Sequence, residues 1–99
     1  MKLNSPKIYK NRKAKNHPSI QIMSDEKTWK NMVMTHSPAK KKRYIVLKTN
    51  PNPKDPKKSY VEKRVRNDSI TTRGEEFKKY KVSNEDVSLL NTFLNNKKS

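Results

Sequence analysis

The feature that most constrains this fold is a change in the spacing of apolar residues at Ser83. Before Ser83, apolar and polar residues alternate in short runs, which is typical of half-buried strands. After it, Val87, Leu90 and Leu94 recur at helical spacing, with Phe93 beside them. The pattern therefore predicts several short strands followed by one amphipathic helix.

Polar and proline-containing segments separate the alternating runs and set the bounds of the predicted strands. These strands cover residues 19–23, 28–35, 44–47 and 59–65, with room for a further short strand near Ile70. The helix is predicted over residues 84–95, because Ser83 can cap it and Glu85 and Asp86 place negative charge in its first turn. The predicted fold class is mainly β with one C-terminal α-helix, built as a small bent antiparallel sheet or a small barrel.

The chain has room for one domain with a modest core, since it has 99 residues, of which 29% are hydrophobic. Residues 1–15 carry basic residues, no acidic ones and no clear apolar period, which predicts a basic N-terminal arm that is partly disordered when free. Residues 16–96 are predicted to form the single domain, and residues 97–99 a frayed tail.

Basic residues outnumber acidic residues by 25 to 9, which gives a formal charge of +16. Such a surface suits nucleic acid, because lysine and arginine release condensed counterions when they neutralise phosphates. An anionic membrane or an acidic protein is the alternative partner, but a membrane would require a basic amphipathic helix. No apolar run approaches the roughly 20 residues that span a bilayer and no apolar leader is visible, so we expect a cytoplasmic protein without a membrane partner.

The densest basic region lies between Lys40 and Lys58, in loops on either side of the third predicted strand. We expect it to follow a phosphate backbone, with Tyr44 and Tyr60 stacking on bases. A solvated face that serves only solubility is the alternative for the lysines, and a core or cross-strand role is the alternative for the tyrosines. The predicted nucleic-acid-binding residues are Ser37, Lys40, Lys41, Lys42, Arg43, Lys48, Lys54, Lys57, Lys58 and Tyr60.

Several kinds of active site are excluded by residue type. Gly74 is the only glycine, so no glycine-rich loop can hold a triphosphate. The chain has no cysteine and only two histidines, and its carboxylates show no metal-binding spacing, so we expect neither a metal nor another cofactor. The chemistry that remains is metal-free RNA cleavage, in which a base deprotonates the ribose 2′-hydroxyl and cations stabilise the phosphorane.

The groups suited to that chemistry are His17, Thr35, His36 and Ser37, with the surrounding lysines. Structural roles are the alternative for both histidines. His17 precedes Pro18, a position restricted to extended backbone, and can simply mark a strand entrance. His36 lies in a Thr-His-Ser-Pro segment, where such side chains commonly satisfy turn backbone.

Four segments, in order, resemble motifs of the MazF/PemK-like toxin superfamily, and the resemblance covers roughly residues 16–94. Residues 16–24 are similar to an Arg-Pro dipeptide that enters a hydrophobic strand ending in serine, and residues 33–37 to a Pro-x-Thr-Ser segment. Residues 59–66 are similar to a strand that carries Ser-x-Val and a later basic residue. Residues 82–85 are similar to the Leu-Ser-x-Glu start of the family's terminal helix.

This resemblance implies an SH3-like barrel and an endoribonuclease of a toxin–antitoxin system. It sets Thr35 at the family's catalytic threonine, whereas His17 stands where the family has arginine, and the family's Gly-Asp-Ile-Val first strand has no counterpart. It also implies an acidic antitoxin, protein or RNA, as the partner, and a homodimer.

The leading hypothesis is therefore an RNA-binding, metal-independent endoribonuclease with His17, Thr35 and His36 as catalytic residues. A non-catalytic nucleic-acid-binding accessory protein of a mobile element, acting on RNA or DNA, is one alternative. A phage or plasmid inhibitor that binds a host complex is the other.

Overall fold

The computed structural model describes residues 2–96, so the predicted tail at 97–99 lies outside the described residues. In this range, short strands are followed by one helix, α1 (Asn84–Asn96). The strands are β1 (Ile8–Asn11), β2 (His17–Ser24), β3 (Thr28–Thr35), β4 (Tyr44–Val46), β5 (Tyr60–Glu62), β6 (Arg66–Ser69) and β7 (Arg73–Glu76).

The strands form an antiparallel sheet around the long β2–β3 hairpin. Their order is β4-β5-β3-β2-β1-β7, and β6 pairs with the first half of β3. Within residues 2–96 no ladder joins β4 to β7, so the sheet is open and not closed into a barrel. The predicted class, mainly β with one C-terminal helix, is confirmed, and the sheet is the open one of the two predicted arrangements.

One face of the sheet packs against α1 and forms the hydrophobic core. Ile20 and Met32 face each other across β2 and β3, and both are fully buried in one cluster with Leu90 and Leu94 of the helix. Alternate residues of a strand point to opposite faces, so the residues between them lie on the other face of the sheet. That second face carries the polar groups of the candidate site.

The segment predicted as a basic arm contributes a strand to this sheet. β1 lies between β2 and β7, and its Ile8 is buried in the core together with Leu3. The side chain of Asn91 in α1 fixes Leu3 by accepting from its amide at 2.7 Å and donating to its carbonyl at 3.2 Å. No apolar period appears in the sequence because the buried apolar residues of the described part of this segment, Leu3, Ile8 and Ala14, are widely and unevenly spaced.

The start of α1 has the predicted cap and an additional anchor. The Ser83 hydroxyl accepts a hydrogen bond from the Asp86 amide at 3.2 Å, as an N-cap should. The fully buried Asp86 carboxylate accepts from the backbone amides of Lys48 and Thr49 at 2.9 and 3.1 Å. One helix residue therefore holds the chain that leaves β4.

Candidate functional site

His17 and Thr35 come together at one end of the β2–β3 hairpin. Ser19 pairs with Val33, and the same antiparallel register continued by two residues sets His17 opposite Thr35. On its outer side, Thr35 pairs with Tyr60 of β5. The imidazole and the hydroxyl therefore lie on one face of the sheet, opposite the face that packs against α1.

The turn between β1 and β2 brings two lysines to the same place. The Asn11 Oδ1 atom accepts hydrogen bonds from two backbone amides of this turn at 3.0 and 3.3 Å. Lys15 and Asn16 then adopt left-handed backbone conformations, with φ angles of 55° and 64°. This tight reversal sets Lys13 and Lys15 in one pocket lining with His17.

A buried polar network lies under the turn. The Asp68 Oδ2 atom accepts from the side-chain amides of Asn31 and Asn11 at 3.0 and 3.3 Å. Burial by itself raises the pKa of the Asp68 carboxyl, but these amides and the nearby charges of Lys13 and Arg66 outweigh it and hold the pKa below its ordinary value. The carboxylate therefore stays ionised and attracts the Lys13 ammonium, whose Nζ lies 3.6 Å from Oδ1.

A pocket of about 210 Å³ opens beside His17, between the sheet and the proline-rich loop formed by residues 49–58. Pro18, Met34 and Tyr80 give it apolar walls. The Tyr80 ring is stacked on Phe77, with centroids 4.7 Å apart and an interplanar angle of 20°. We call this the histidine pocket, and its lining is His17, Pro18, Met34, Thr35, His36, Ser37, Asn50, Asn52, Ser59 and Tyr80.

The polar groups of the histidine pocket differ in how far the protein already satisfies them. The Thr35 Oγ1 atom accepts from the Ser37 amide at 3.2 Å, which leaves the Thr35 hydroxyl hydrogen available as a donor. The Asn50 Oδ1 atom accepts from the Asn52 amide at 2.9 Å. Ser59 is 1% exposed, and its hydroxyl has no hydrogen-bond partner among the described residues.

The two histidines of the pocket are in different situations. The His36 Nε2 atom lies 3.1 Å from Oδ2 of Asp55, and its Nδ1 atom lies 3.4 Å from the carbonyl oxygen of Lys58. Both ring nitrogens of His36 therefore face the proline-rich loop. His17 is exposed, and within residues 2–96 no side chain forms a hydrogen bond or an ion pair with its ring.

A basic groove runs from His17 in the other direction. The basic groove consists of two adjoining depressions that share Tyr44 and Glu62. The depression nearer to the histidine pocket shares His17 and Thr35 with that pocket. Glu62 is the one carboxylate among the described residues lining the groove, and its Oε1 accepts from Nε of Arg66 at 3.2 Å. The cations of the basic groove are Lys13, Lys15, Lys40, Lys42, Arg43, Lys63, Arg64 and Arg66.

The structure brings together part of the predicted binding set. Lys40, Lys42 and Arg43 line the basic groove, and Ser37 lines the histidine pocket. Lys41 is exposed in the same 3₁₀ turn but lies outside both linings. The predicted catalytic residues all line the histidine pocket.

The other predicted binding residues lie elsewhere. Lys48 Nζ lies 3.0 Å from Oε2 of Glu85 on α1, and this hydrogen bond raises the pKa of Lys48. Tyr60 is 8% exposed, so its ring lacks the open face that base stacking needs, whereas the half-buried Tyr44 lines the groove. The remaining lysines are exposed on the proline-rich loop, namely Lys54, Lys57 and Lys58.

Five groove cations are absent from the prediction, namely Lys13, Lys15, Lys63, Arg64 and Arg66. The two lysines belong to the segment interpreted as an arm, although Asn11 directly before Arg12 is a cap residue that could have indicated the turn. The alternating pattern of the sequence predicts that Lys63 and Arg64 belong to a strand that continues to Val65, and that Arg66 belongs to the turn after it. That strand ends at Glu62, and the amide of Lys63 donates to the Arg43 carbonyl at 2.9 Å instead.

Comparison with known proteins adds no template for this site. No family model, no curated protein and no solved structure matches the chain. The resemblance to the MazF/PemK-like superfamily therefore stays a prediction from short motifs. Among residues 2–96, no helix has the length and apolar character needed to cross a membrane, and no three His, Asp or Glu side chains gather as metal ligands would.

The site combines three chemical capacities at His17. Histidine exchanges protons near neutral pH, and this imidazole is open to a ligand. The Thr35 hydroxyl and the groove cations can hold phosphate oxygens. The histidine pocket adds a largely apolar recess next to them. The arrangement suits a ligand that has both an anionic backbone and a neutral planar group.

Proposed function

We propose that the chain binds single-stranded RNA along the basic groove and cleaves it, without metal, at His17. The observation that carries this proposal is the position of His17 and Thr35, which line both the groove and the histidine pocket. A strand whose phosphates follow the groove would present one phosphodiester to both side chains.

Binding is supported by the charge of the groove. Two carboxylates offset this charge: Glu62, which lines the groove and is paired with Arg66, and Asp68, which attracts Lys13 from below. Each phosphate neutralised in such a groove releases condensed counterions, and this release favours binding at low salt. Tyr44 adds an aromatic surface between the two halves of the groove. Aromatic side chains next to cations are typical of sites for single strands.

Cleavage is supported by the chemistry of the groups at the junction. His17 would take the proton of the ribose 2′-hydroxyl, and the 2′-oxygen would form a bond to the adjacent phosphorus. The bond from phosphorus to the 5′-oxygen breaks, and that oxygen takes a proton from water. Thr35, Lys15 and Arg66 would stabilise the charge on the phosphate oxygens. The products are a 2′,3′-cyclic phosphate and a 5′-hydroxyl.

We assign His36 a different task from His17. Its two ring nitrogens face oxygen atoms of Asp55 and Lys58, so proton transfer to a substrate would first have to break these contacts. Its role in this proposal is to hold the proline-rich loop beside the histidine pocket. Catalysis by His36 stays a prediction from the sequence.

The biological role proposed here is that of a growth-inhibiting toxin with an acidic antitoxin protein or an antitoxin RNA as partner. This part of the proposal, like a homodimer, is supported by the motif resemblance alone. The second candidate is a non-catalytic nucleic-acid-binding protein acting on RNA or DNA. It is favoured by one observation. Because His36 faces Asp55 and Lys58, the pocket offers His17 as a base but no second open imidazole to protonate the leaving 5′-oxygen.

The experiment is incubation of a mixed-sequence single-stranded RNA with excess EDTA and either wild type, His17→Ala or His36→Ala. We expect discrete cuts with wild type, with cyclic phosphate ends, and none with His17→Ala. A 2′-deoxy substitution at a cut position should abolish that cut, because the nucleophile is gone. RNA that shifts on a native gel but stays intact would favour the second candidate. RNA that neither shifts nor breaks would contradict the first, and the same absence of a shift with single- and double-stranded DNA would contradict both.

A further inference from the structure

The surface changes character at His17. On one side, the basic groove is lined mainly by lysine and arginine. On the other side, the described residues lining the histidine pocket include no lysine, arginine, aspartate or glutamate. A phosphate gains little in such a pocket because the cations that would neutralise it lie outside. A neutral group attached to a phosphate-bearing chain fits both surfaces at once.

We propose that the histidine pocket binds a single unstacked nucleobase of the strand that lies in the basic groove. This inference rests on the proposed function, because it takes the strand's path from the groove. A nucleotide carries an anionic phosphate and a neutral planar base on one sugar. The phosphate would lie at His17 and Thr35, and the base would turn into the pocket next to them.

The volume of the histidine pocket suits one nucleobase and not a base pair. Its volume is about 210 Å³, below the roughly 300–1,000 Å³ of pockets for drug-sized ligands. A base pair would not enter, so the pocket requires a strand whose base is unpaired. This selection agrees with the general use of splayed bases in RNA recognition.

The pocket wall offers a rigid aromatic surface. Phe77 stacks on Tyr80 with an interplanar angle of 20° and so restricts the orientation of the Tyr80 ring. Met34 and Pro18 supply apolar surface elsewhere in the lining. A base that stacks on an aromatic ring is bound without regard to its identity, because every base has a π-face.

The identity of the base would be read by polar groups of the same lining. The buried Ser59 hydroxyl has no partner among the described residues, although buried polar groups of proteins are nearly always paired. The Asn52 Oδ1 atom accepts from the Lys54 amide at 3.1 Å, which fixes the side-chain amide and leaves its Nδ2 as a donor. The Asn52 amide donor matches an oxygen or nitrogen atom on the edge of a base. The Ser59 hydroxyl is closed to solvent, so it would pair with such an atom after a local shift of the lining.

Ser59 permits a test that separates binding from folding. Its hydroxyl forms no hydrogen bond within the described protein, so Ser59→Ala should leave the melting temperature unchanged or raise it. Ser19 is the matched control. It is also buried with an unpaired hydroxyl, but it lies outside the lining of the histidine pocket.

The probe is a 2′-O-methyl oligonucleotide, which cannot be cleaved, with one abasic position moved along its length. Binding should weaken about tenfold when the base at one position is missing and little elsewhere, as expected for the loss of one stacked base. Tyr80→Leu should reduce affinity for the intact strand by a similar factor, and Tyr80→Phe should not. Ser59→Ala should weaken binding about three- to tenfold, and Ser19→Ala should not.

Two outcomes would overturn the pocket proposal. One is salt-dependent binding of the oligonucleotide with equal affinity for every abasic position, which would leave the groove intact as an RNA site. The other is equal loss of affinity in Ser59→Ala and Ser19→Ala. If no RNA binds, the groove proposal and the pocket proposal can still be tested separately by titrating the protein with nucleoside monophosphates and monitoring its amides by NMR. Shifts at the Ser59 and Tyr80 amides would support the pocket without the groove, and their absence would overturn both.

Discussion

The Nε2 atom of His36 lies 3.1 Å from Oδ2 of Asp55, and this contact joins the end of β3 to the middle of the proline-rich loop. The other carboxylate oxygen of Asp55 accepts from the Lys57 amide at 3.0 Å. Asn50 and Asn52 of the same loop line the histidine pocket. The pair therefore fixes one wall of the pocket to the strand that carries Thr35.

Replacing Asp55 should loosen this wall. In Asp55→Ala, the loop loses both the contact to His36 and the acceptor for the Lys57 amide, so amides of residues 50–58 should exchange faster with solvent. Asp55→Asn keeps an acceptor for that amide and should give an intermediate effect. The free energy of unfolding should change by less than about 1 kcal/mol, because the imidazole is half exposed. Hydrogen-exchange mass spectrometry measures the loop, and unchanged protection in Asp55→Ala would refute the role of the pair.

Neutralising cations of the basic groove should reduce the salt dependence of RNA binding. Lys15→Gln and Arg64→Gln should each lower the slope of log affinity against log salt by about 0.7 for each phosphate that is no longer neutralised. Lys27 is the control, because it precedes β3 in the turn at the end of the hairpin away from His17. Fluorescence anisotropy across a salt series measures the slopes. An equal decrease for Lys27→Gln would show that the whole surface, and not the groove, attracts RNA.

Asp86 should be much more important for stability than its neighbour Glu85. Asp86→Ala removes a fully buried carboxylate that accepts from the amides of Lys48 and Thr49, and it should lower the free energy of unfolding by about 2–4 kcal/mol. Glu85→Ala removes an exposed pair with Lys48, which solvent screens, and should lower the free energy of unfolding much less than Asp86→Ala. Urea unfolding measures both variants. Similar losses would contradict the anchoring of α1 through Asp86.

Stability should depend on the ionisation of Asp68. Its folded-state pKa lies below the ordinary value of 3.8, so its contribution is complete above that value and is lost as pH falls through the folded-state pKa. Asp68→Asn should lower the free energy of unfolding at neutral pH by about 1–3 kcal/mol. The difference from wild type should shrink as the medium becomes more acidic than the unfolded pKa. Urea unfolding of both proteins over a pH series measures it, and a constant difference would argue against an ionised Asp68.

The elements predicted well are those whose pattern is local. The predicted strand over residues 28–35 coincides with β3, and the helix predicted over residues 84–95 extends one residue further in α1. Both rest on periodicity against a buried face and, for the helix, on the Ser83 cap. Such information is contained within a few consecutive residues.

The strands that the sequence pattern did not predict form because of the neighbouring strands with which they pair. β7 contains Arg73, Gly74 and two glutamates, and nothing in this composition alternates. Its pairing with β1 explains the position of the glycine. A Cβ atom on Gly74 would lie 3.1 Å from Cβ and 3.2 Å from the carbonyl oxygen of Lys10. The close approach of β7 to β1 at this point depends on the fold, and the sequence contains no periodic pattern that would predict it.

The candidate site is predictable only in part for the same reason. Residue type and motif point to His17 and Thr35, and the hairpin register sets them opposite each other. Lys13 and Arg66 could not be placed beside them from the sequence. Their positions depend on a left-handed turn and on an early end of β5, and both features depend on tertiary contacts.

The left-handed turn has a further consequence. Lys15 holds a φ of 55°, a conformation that glycine adopts freely and that costs most other residues about 1 kcal/mol or more. Lys15→Gly would relax the turn and remove a cation from the groove in the same step. If the basic groove binds RNA as proposed, a variant selected only for heat resistance would favour glycine at position 15 and would bind RNA more weakly. In that case a single residue raises RNA affinity at the expense of thermal stability.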